Sequence, residues 1–209
     1  MSVEVKFFFG LRSRYSYLAS TQIAELERDT GCRVTWLPMV SSELMQRRGQ
    51  NPFAARGDDG KWSGANVSEQ YTEQYRRTDL ARRAALYGVP YNEPAMPADP
   101  RRCTLHCVAA EIQGAVAAYC RAMFNALYID GLAVTEDDCA TFAVKAGLKP
   151  EVLRQTVDSG AAETRHNEII AQALDLNVFG VPTFVVGQEL FWGNDRLALL
   201  RRHLKQSTC

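Results

Sequence analysis

Residues 178–195 read VFGVPTFVVGQELFWGND. Thr183 to Val186 is β-branched and aromatic, Gly187-Gln188 suits a two-residue turn, and Glu189 to Trp192 is a second short strand run. The stretch therefore predicts a β-hairpin. Val181-Pro182 stands directly before the first of its strands. Asn194 or Asp195 then caps a final helix whose apolar stripe is Leu197, Leu200 and Leu204.

At the other end of the chain, Val3 to Phe9 finishes in three consecutive phenylalanines and predicts a strand buried on both faces. Tyr15, Leu18, Ala19, Gln22, Ile23 and Leu26 recur at intervals of three and four, which predicts one amphipathic helix stopping near Gly31. Arg33 to Leu37 predicts a second strand. Between these flanks, Ser41 to about Asn66 reads as a loop-rich connection with one short helix, and Ser68 to Tyr87 as a helix ended by Gly88 and the prolines beyond it. Cys103 to Tyr128 is Ala-rich and reads as a single long helix. Thr135 to Asp138 resembles a capping box, Pro150 sits in the first turn of a further helix, and Ala161 to Leu176 forms another.

The sum is β-α-β, a helical block, then β-β-α. That is a thioredoxin-like α/β domain assembled from residues 1–40 and 177–209, with a large all-helical insertion over 41–176, the DsbA-like plan. In this arrangement the functional group sits where the first strand meets the first helix, facing an X-Pro bond that is cis. The pieces here are Ser13-Arg14-Tyr15-Ser16 and Val181-Pro182.

Composition narrows the chemistry. Lys plus Arg and Asp plus Glu each total 24 in 209 residues, so no basic excess marks a nucleic-acid binder. The apolar runs are far too short to span a bilayer, and the opening MSVEVKFFFG lacks the pattern of a signal peptide, so the expected location is the cytoplasm. Six cysteines include no C-x-x-C. Cys103, His106 and Cys107 share a helix face but have no second ligand pair at zinc spacing, so they read as packed side chains and no metal is expected. The paired arginines read mostly as solvated helix surface, and His166 as a helix-surface residue.

Where redox relatives of the fold carry C-x-x-C, this chain has Ser13-x-x-Ser16. A hydroxyl cannot form a disulfide, which excludes thiol–disulfide exchange at this junction. At a helix amino terminus it can donate a hydrogen bond to an anion held by free N–H groups and the helix dipole. A thiolate from outside is a natural guest there, with its pKa lowered by the same field. The plainer reading, in which Ser13 only caps the helix, stays open.

FFFGLRSRYSYLA (residues 7–19) resembles the opening motif F-D-x-x-S-P-Y-S-Y-L of the 2-hydroxychromene-2-carboxylate isomerases and kappa-class glutathione transferases, within the DsbA-like thioredoxin superfamily. TDLARRAALYGVPYNEP, FNALYIDG and FGVPTFVVGQELFWGNDRL are similar to later segments of the same family, in the same order. The resemblance implies glutathione as cofactor, with Ser13 activating its sulfur and Val181, before cis-Pro182, pairing its backbone with the cysteinyl unit. It implies that Trp192, Gly193, Asn194 and Asp195 hold the γ-glutamyl end, Asp195 meeting the ammonium and the helix start the carboxylate. Two positions depart from the motif: Gly10 stands where the family has Asp, and Arg14 where it has Pro. Arg14, Arg56 and Arg101 are the candidates for meeting a substrate carboxylate, the last two at the domain junction.

The function this implies is a glutathione-dependent isomerase of an aromatic keto acid, as in aromatic degradation, acting by transient addition of the sulfur. The alternatives are a kappa-class-like transferase acting on an electrophile, and a glutathione-binding protein without turnover. The expected partners are a small aromatic or electrophilic substrate and, from the resemblance, a second copy in a homodimer; neither nucleic acid nor membrane is expected.

Overall fold

The computed structural model describes residues 2–49, 73–95, 97 and 99–207. Its centre is the strand β1 (Glu4–Phe9), whose Phe7, Phe8 and Phe9 are fully buried. Alternation sends Phe7 and Phe9 to one face of the sheet and Phe8 to the other, as a strand covered on both sides requires. Phe7 stacks on Phe184 at 4.7 Å and meets Trp36 edge-on at 5.2 Å, while Phe9 reaches Phe124 in the helical layer at 5.7 Å.

The sheet order is β2-β1-β3-β4. β2 (Arg33–Pro38) runs parallel to β1, and β3 (Thr183–Val186) pairs antiparallel with β1 and with β4 (Glu189–Trp192). The parallel pair needs a crossover, which α1 (Arg14–Thr21) and α2 (Ile23–Thr30) supply. The hairpin turns through Gly187-Gln188, as the sequence predicts. After β4 a 3₁₀ turn (Asn194–Arg196) leads into the last helix, Leu197–Ser207, labelled α10 below; its Leu197, Leu200 and Leu204 are buried.

Every described element between β2 and β3 is a helix: α3 (Ser41–Arg47), α4 (Glu73–Tyr87), α5 (Pro100–Ile112), α6 (Val116–Tyr128), α7 (Glu136–Lys145), α8 (Pro150–Asp158) and α9 (Ala161–Asp175). The chain is thus a thioredoxin-like domain carrying a helical insertion. α5 and α9 pack on β2, and one buried cluster runs continuously from the sheet into the helices. The capping box is formed in full: Thr135 N–H donates to Asp138 Oδ2 at 2.8 Å and Asp138 N–H returns to Thr135 Oγ1 at 3.4 Å. Among the described residues no helix is long and apolar enough to cross a membrane.

Two helices that the periodicity makes continuous are broken. Ser20 Oγ donates to Tyr17 O and Thr21 Oγ1 to Leu18 O, so side chains occupy the carbonyls that the next turn would use. Gln22 N–H then turns to Ala19 O, three residues back, and the helix restarts at Ile23. The Ala-rich run breaks at Gly114, whose φ of 75° is left-handed, while Ala115 N–H reaches back to Ala110 O at 2.9 Å. Asn194 does not cap: Gly193 takes the cap position of the 3₁₀ turn, and the Asn194 side chain is buried.

Candidate active site

The segment from Gly10 to Ser13 is fixed at its backbone before it presents any side chain. Ser13 N–H donates to Gly10 O at 3.1 Å, Gly10 N–H donates to Ser16 Oγ at 3.4 Å, and the buried Tyr128 hydroxyl of α6 donates to Leu11 O at 2.7 Å. Ser13 is extended (φ −91°, ψ 109°) and caps α1, its Oγ accepting Ser16 N–H at 3.1 Å. Capping uses a lone pair of the hydroxyl and leaves its proton available. The cap and the donor are therefore compatible roles of one side chain. The N–H groups of the first turn, lacking intrahelical acceptors, add their dipoles at the same point.

Ser13 lines a cavity of about 580 Å³ between the end of β1, α3 and the start of α5. Gly10, Arg12, Ser41, Glu43 and Arg101 are among its walls. Gly10 leaves room there, since a Cβ would lie 3.4 Å from Met39 O and 3.5 Å from Val181 Cγ2. Glu43 accepts Arg101 Nε at 2.8 Å, and Arg101 also binds Glu163 at 2.6 Å through Nη2. Arg101 thus reaches the cavity as the sequence suggests, already paired with two carboxylates. Asp99 serves as the cap of α5, accepting Arg102 N–H at 2.9 Å.

Arg14 turns elsewhere. Its Nε donates to Glu93 Oε1 at 2.7 Å and its Nη2 bonds the same oxygen, with Arg76 3.5 Å from it. Burial opposes the charge of Glu93, yet hydrogen bonds from Arg14 and Tyr91 and the two guanidinium charges hold its pKa below the usual carboxylate value. Arg14 does not line the cavity. Arg56 lies outside the described residues.

A second cavity of about 300 Å³ brings together Val181, Pro182, Trp192, Gly193, Asn194 and Asp195, joined by Tyr15, Asp79 and Arg83. The Val181-Pro182 bond is cis. Gly193 has φ 109°, and a Cβ there would fall 2.5 Å from Asp195 Oδ1, so only glycine leaves this carboxylate in place. Asp195 pairs with the exposed Arg196 at 3.0 Å. Trp192 is not a core residue: it is 52% exposed, with its ring 5.1 Å from Phe179. Asn194 Nδ2 donates to the Tyr87 hydroxyl at 3.0 Å. Tyr15 donates to Asp79, which also holds Arg83 at 2.8 Å.

Among the described residues, the two cavities share no lining residue. Ser13 belongs to the first, and the other residues expected to hold glutathione belong to the second; Gly10 lies between, bonded to Ser13 and close to Val181. Sequence reasoning misses Arg12, Ser41 and Glu43 in the first cavity and Tyr15, Asp79 and Arg83 in the second. Ser-Ser-Glu after the second strand is the one local signal for the former group; of the latter, Tyr15 comes from α1 and Asp79 and Arg83 from α4 of the insertion, and no local spacing connects them to the hairpin.

His166 is a correction. It is fully buried behind the first cavity, its Nε2 accepting Val40 N–H at 3.1 Å. Burial pushes its pKa below the usual imidazole value, so it sits neutral with its proton on Nδ1, 3.7 Å from Glu43 Oε2. Cys103 and Cys107 are buried, and His106 bonds Glu136 at 2.9 Å. Among the described residues no group of three or more His, Cys, Asp and Glu is placed to hold a metal.

The DSBA-like thioredoxin domain family model matches residues 4–205. A 2-hydroxychromene-2-carboxylate isomerase of Pseudomonas putida is 30% identical over 197 residues, covering 94% of this chain and 91% of that protein. Another, from Sphingobium xenophagum, is 29% identical over 208 residues, covering 98% of this chain and 99% of the other. A solved structure of a 2-hydroxychromene-2-carboxylate isomerase matches with a TM-score of 0.79 at 28% identity, over 98% of this chain and 96% of that one.

Proposed function

We infer that this chain, which belongs to the DSBA-like thioredoxin domain family and within it to the 2-hydroxychromene-2-carboxylate isomerases, interconverts the isomers of an aromatic hydroxybenzylidene-pyruvate-like acid with glutathione as cofactor. The observation that carries the reading is Ser13: a hydroxyl oriented by Ser16 N–H, at a helix amino terminus, on the wall of a cavity large enough for an aromatic acid.

The second cavity fits glutathione by the chemistry of its groups. Asp195 offers a carboxylate to an ammonium, the 3₁₀ turn offers N–H groups to a carboxylate, and the cradle left by Gly193 would be filled by any Cβ. Trp192 supplies an exposed aromatic wall beside them. If bound, glutathione would supply a nucleophilic sulfur for reversible covalent catalysis at the substrate's double bond, chemistry that is redox-neutral overall. Ser13 lowers the cost of holding that sulfur as an anion by donating its proton in a hydrogen bond, and the α1 dipole acts in the same direction. The thioredoxin-type segment thus holds the cofactor, and the helical layer closes the space in which the substrate turns.

The test is ultraviolet monitoring of 2-hydroxychromene-2-carboxylate with the purified protein, with and without glutathione. Conversion to the trans-benzylidene pyruvate only when glutathione is present is the expected result. Conversion equally fast without glutathione overturns the cofactor. Conjugation of 1-chloro-2,4-dinitrobenzene with no isomerisation would replace the reading by a transferase.

A further inference from the structure

We propose that Arg12 is the anchor for the substrate's carboxylate, a residue that selects an anionic substrate in the cavity facing Ser13. The inference rests on the isomerase reading above and goes beyond it by assigning the group that recognises the acid.

The argument is one of charge. Among the described residues, Arg12, Arg101, Glu43 and Asp99 are the formally charged side chains on the cavity wall. Glu43 is engaged by Arg101, and Arg101 is engaged again by Glu163. Asp99 is engaged by the amino terminus of α5. Arg12 is exposed and, among the described residues, has no carboxylate partner. Arg14, two positions on, has spent its charge on Glu93 outside the cavity. Among the described residues, the cation left to answer a guest's anion is therefore Arg12.

Position supports the same conclusion. Arg12 precedes Ser13 in a segment pinned by Tyr128 and by the Ser13–Gly10 bond, so its Cα is fixed beside the group that would hold the sulfur. The reacting acid carries its carboxylate next to its keto group, a short distance from the double bond. A guanidinium one residue from the sulfur site binds that carboxylate in two parallel hydrogen bonds while leaving the aromatic ring in the body of the cavity. The glycyl carboxylate of glutathione is the competing guest. It is disfavoured because, Ser13 apart, the peptide's expected contacts line the other cavity, to which Arg12 does not contribute.

The experiment compares the native protein with Arg12→Gln and Arg12→Lys. Steady-state kinetics at saturating glutathione should give a KM for 2-hydroxychromene-2-carboxylate raised about tenfold or more in Arg12→Gln, with kcat and the KM for glutathione within about twofold, since a charge-assisted contact is made in ground and transition states alike. Arg12→Lys should recover part of the loss. Arg12 is exposed, so both variants should melt with the native protein. An unchanged substrate KM, or a rise confined to the glutathione KM, overturns the assignment. Calorimetric titration with salicylate, an aryl acid that cannot isomerise, separates this failure from that of the isomerase reading. If the native protein shows no turnover but loses salicylate binding in Arg12→Gln, the anchor stands and the reaction falls. If salicylate binds both equally, or neither, the anchor falls.

Discussion

The imidazole of His166 on α9 accepts the backbone N–H of Val40, 3.1 Å away, at the point where β2 gives way to α3. Only a neutral ring can do this, and burial holds the pKa below 6.5, with Glu43 and Glu163 opposing and Arg101 and Arg47 reinforcing the shift. His106 is lowered as well, chiefly by burial and against Glu136. A histidine with a depressed folded pKa takes up its proton first in the unfolded state. Its stabilising contribution is complete above pH 6.5 and is lost as the pH falls towards the folded value. Thermal melts from about pH 8 to pH 5 should therefore show a plateau and then an acid-side decline, with the slope reduced in His166→Gln, whose amide can still accept Val40 N–H. In His166→Leu the unpaired N–H should cost about 1 kcal/mol at neutral pH. A decline as steep in both variants as in the native protein would show that His166 does not titrate on unfolding.

Asn194 and Tyr87 join the end of the hairpin to α4. The Asn194 side chain is buried and donates to the Tyr87 hydroxyl at 3.0 Å, while that hydroxyl lies 3.4 Å from Asn194 O. Tyr87→Phe leaves a buried amide unpaired and should lower stability by about 1–2 kcal/mol in urea denaturation. A double-mutant cycle with Asn194→Ala should return a coupling of about 1 kcal/mol. Additive losses would mean that the two groups are satisfied separately.

Gly193 and Gly187 both have positive φ, at 109° and 58°, but only at Gly193 does a Cβ meet another atom, Asp195 Oδ1 at 2.5 Å. Gly187→Ala should lose about 1 kcal/mol of stability and bind glutathione as the native protein does. Gly193→Ala should lose about 1–3 kcal/mol and also weaken glutathione binding, by tenfold or more, because Asp195 must move. Equal glutathione affinity in the two variants, read by calorimetry, would remove Asp195 from the proposed glutathione site.

The strands, the hairpin, the capping box and Pro150 are legible in the sequence because each is decided by neighbours within a few residues. The breaks at Gln22 and Gly114 are not. In the first, Ser20 and Thr21 bond backward to carbonyls, a choice that apolar periodicity does not register; in the second, glycine inside an Ala-rich run reads as a tolerated guest until its left-handed φ is seen. The same limit applies to the site. Ser13-x-x-Ser16 and Val181-Pro182 are readable as local patterns, and Trp192 to Asp195 enter the candidate site only through the family resemblance, whereas Arg14 is bonded to Glu93, 79 positions away, and His166 to Val40, 126 away. Polarity suggests a surface for such residues, and only the fold supplies the partner that lets one of them be buried.

Ser13 combines a structural role with the proposed chemical one, and glycine separates them. Ser13→Ala deletes both the cap to Ser16 N–H and the hydroxyl, so it should cost about 1 kcal/mol of stability and about a hundredfold in kcat. Glycine is a tolerated cap that loses only a few tenths of a kcal/mol, yet it has no proton to donate. Ser13→Gly should therefore melt close to the native protein while losing activity as fully as Ser13→Ala, and Ser13→Thr should keep much of both. The ultraviolet absorbance of thiolate, developed at neutral pH when glutathione is added, should be present in the native and Thr proteins and absent in the Ala and Gly variants. If Ser13→Gly turns the chromene over at the native rate, the hydroxyl is a cap alone, and the backbone N–H groups at the head of α1 hold the sulfur without it.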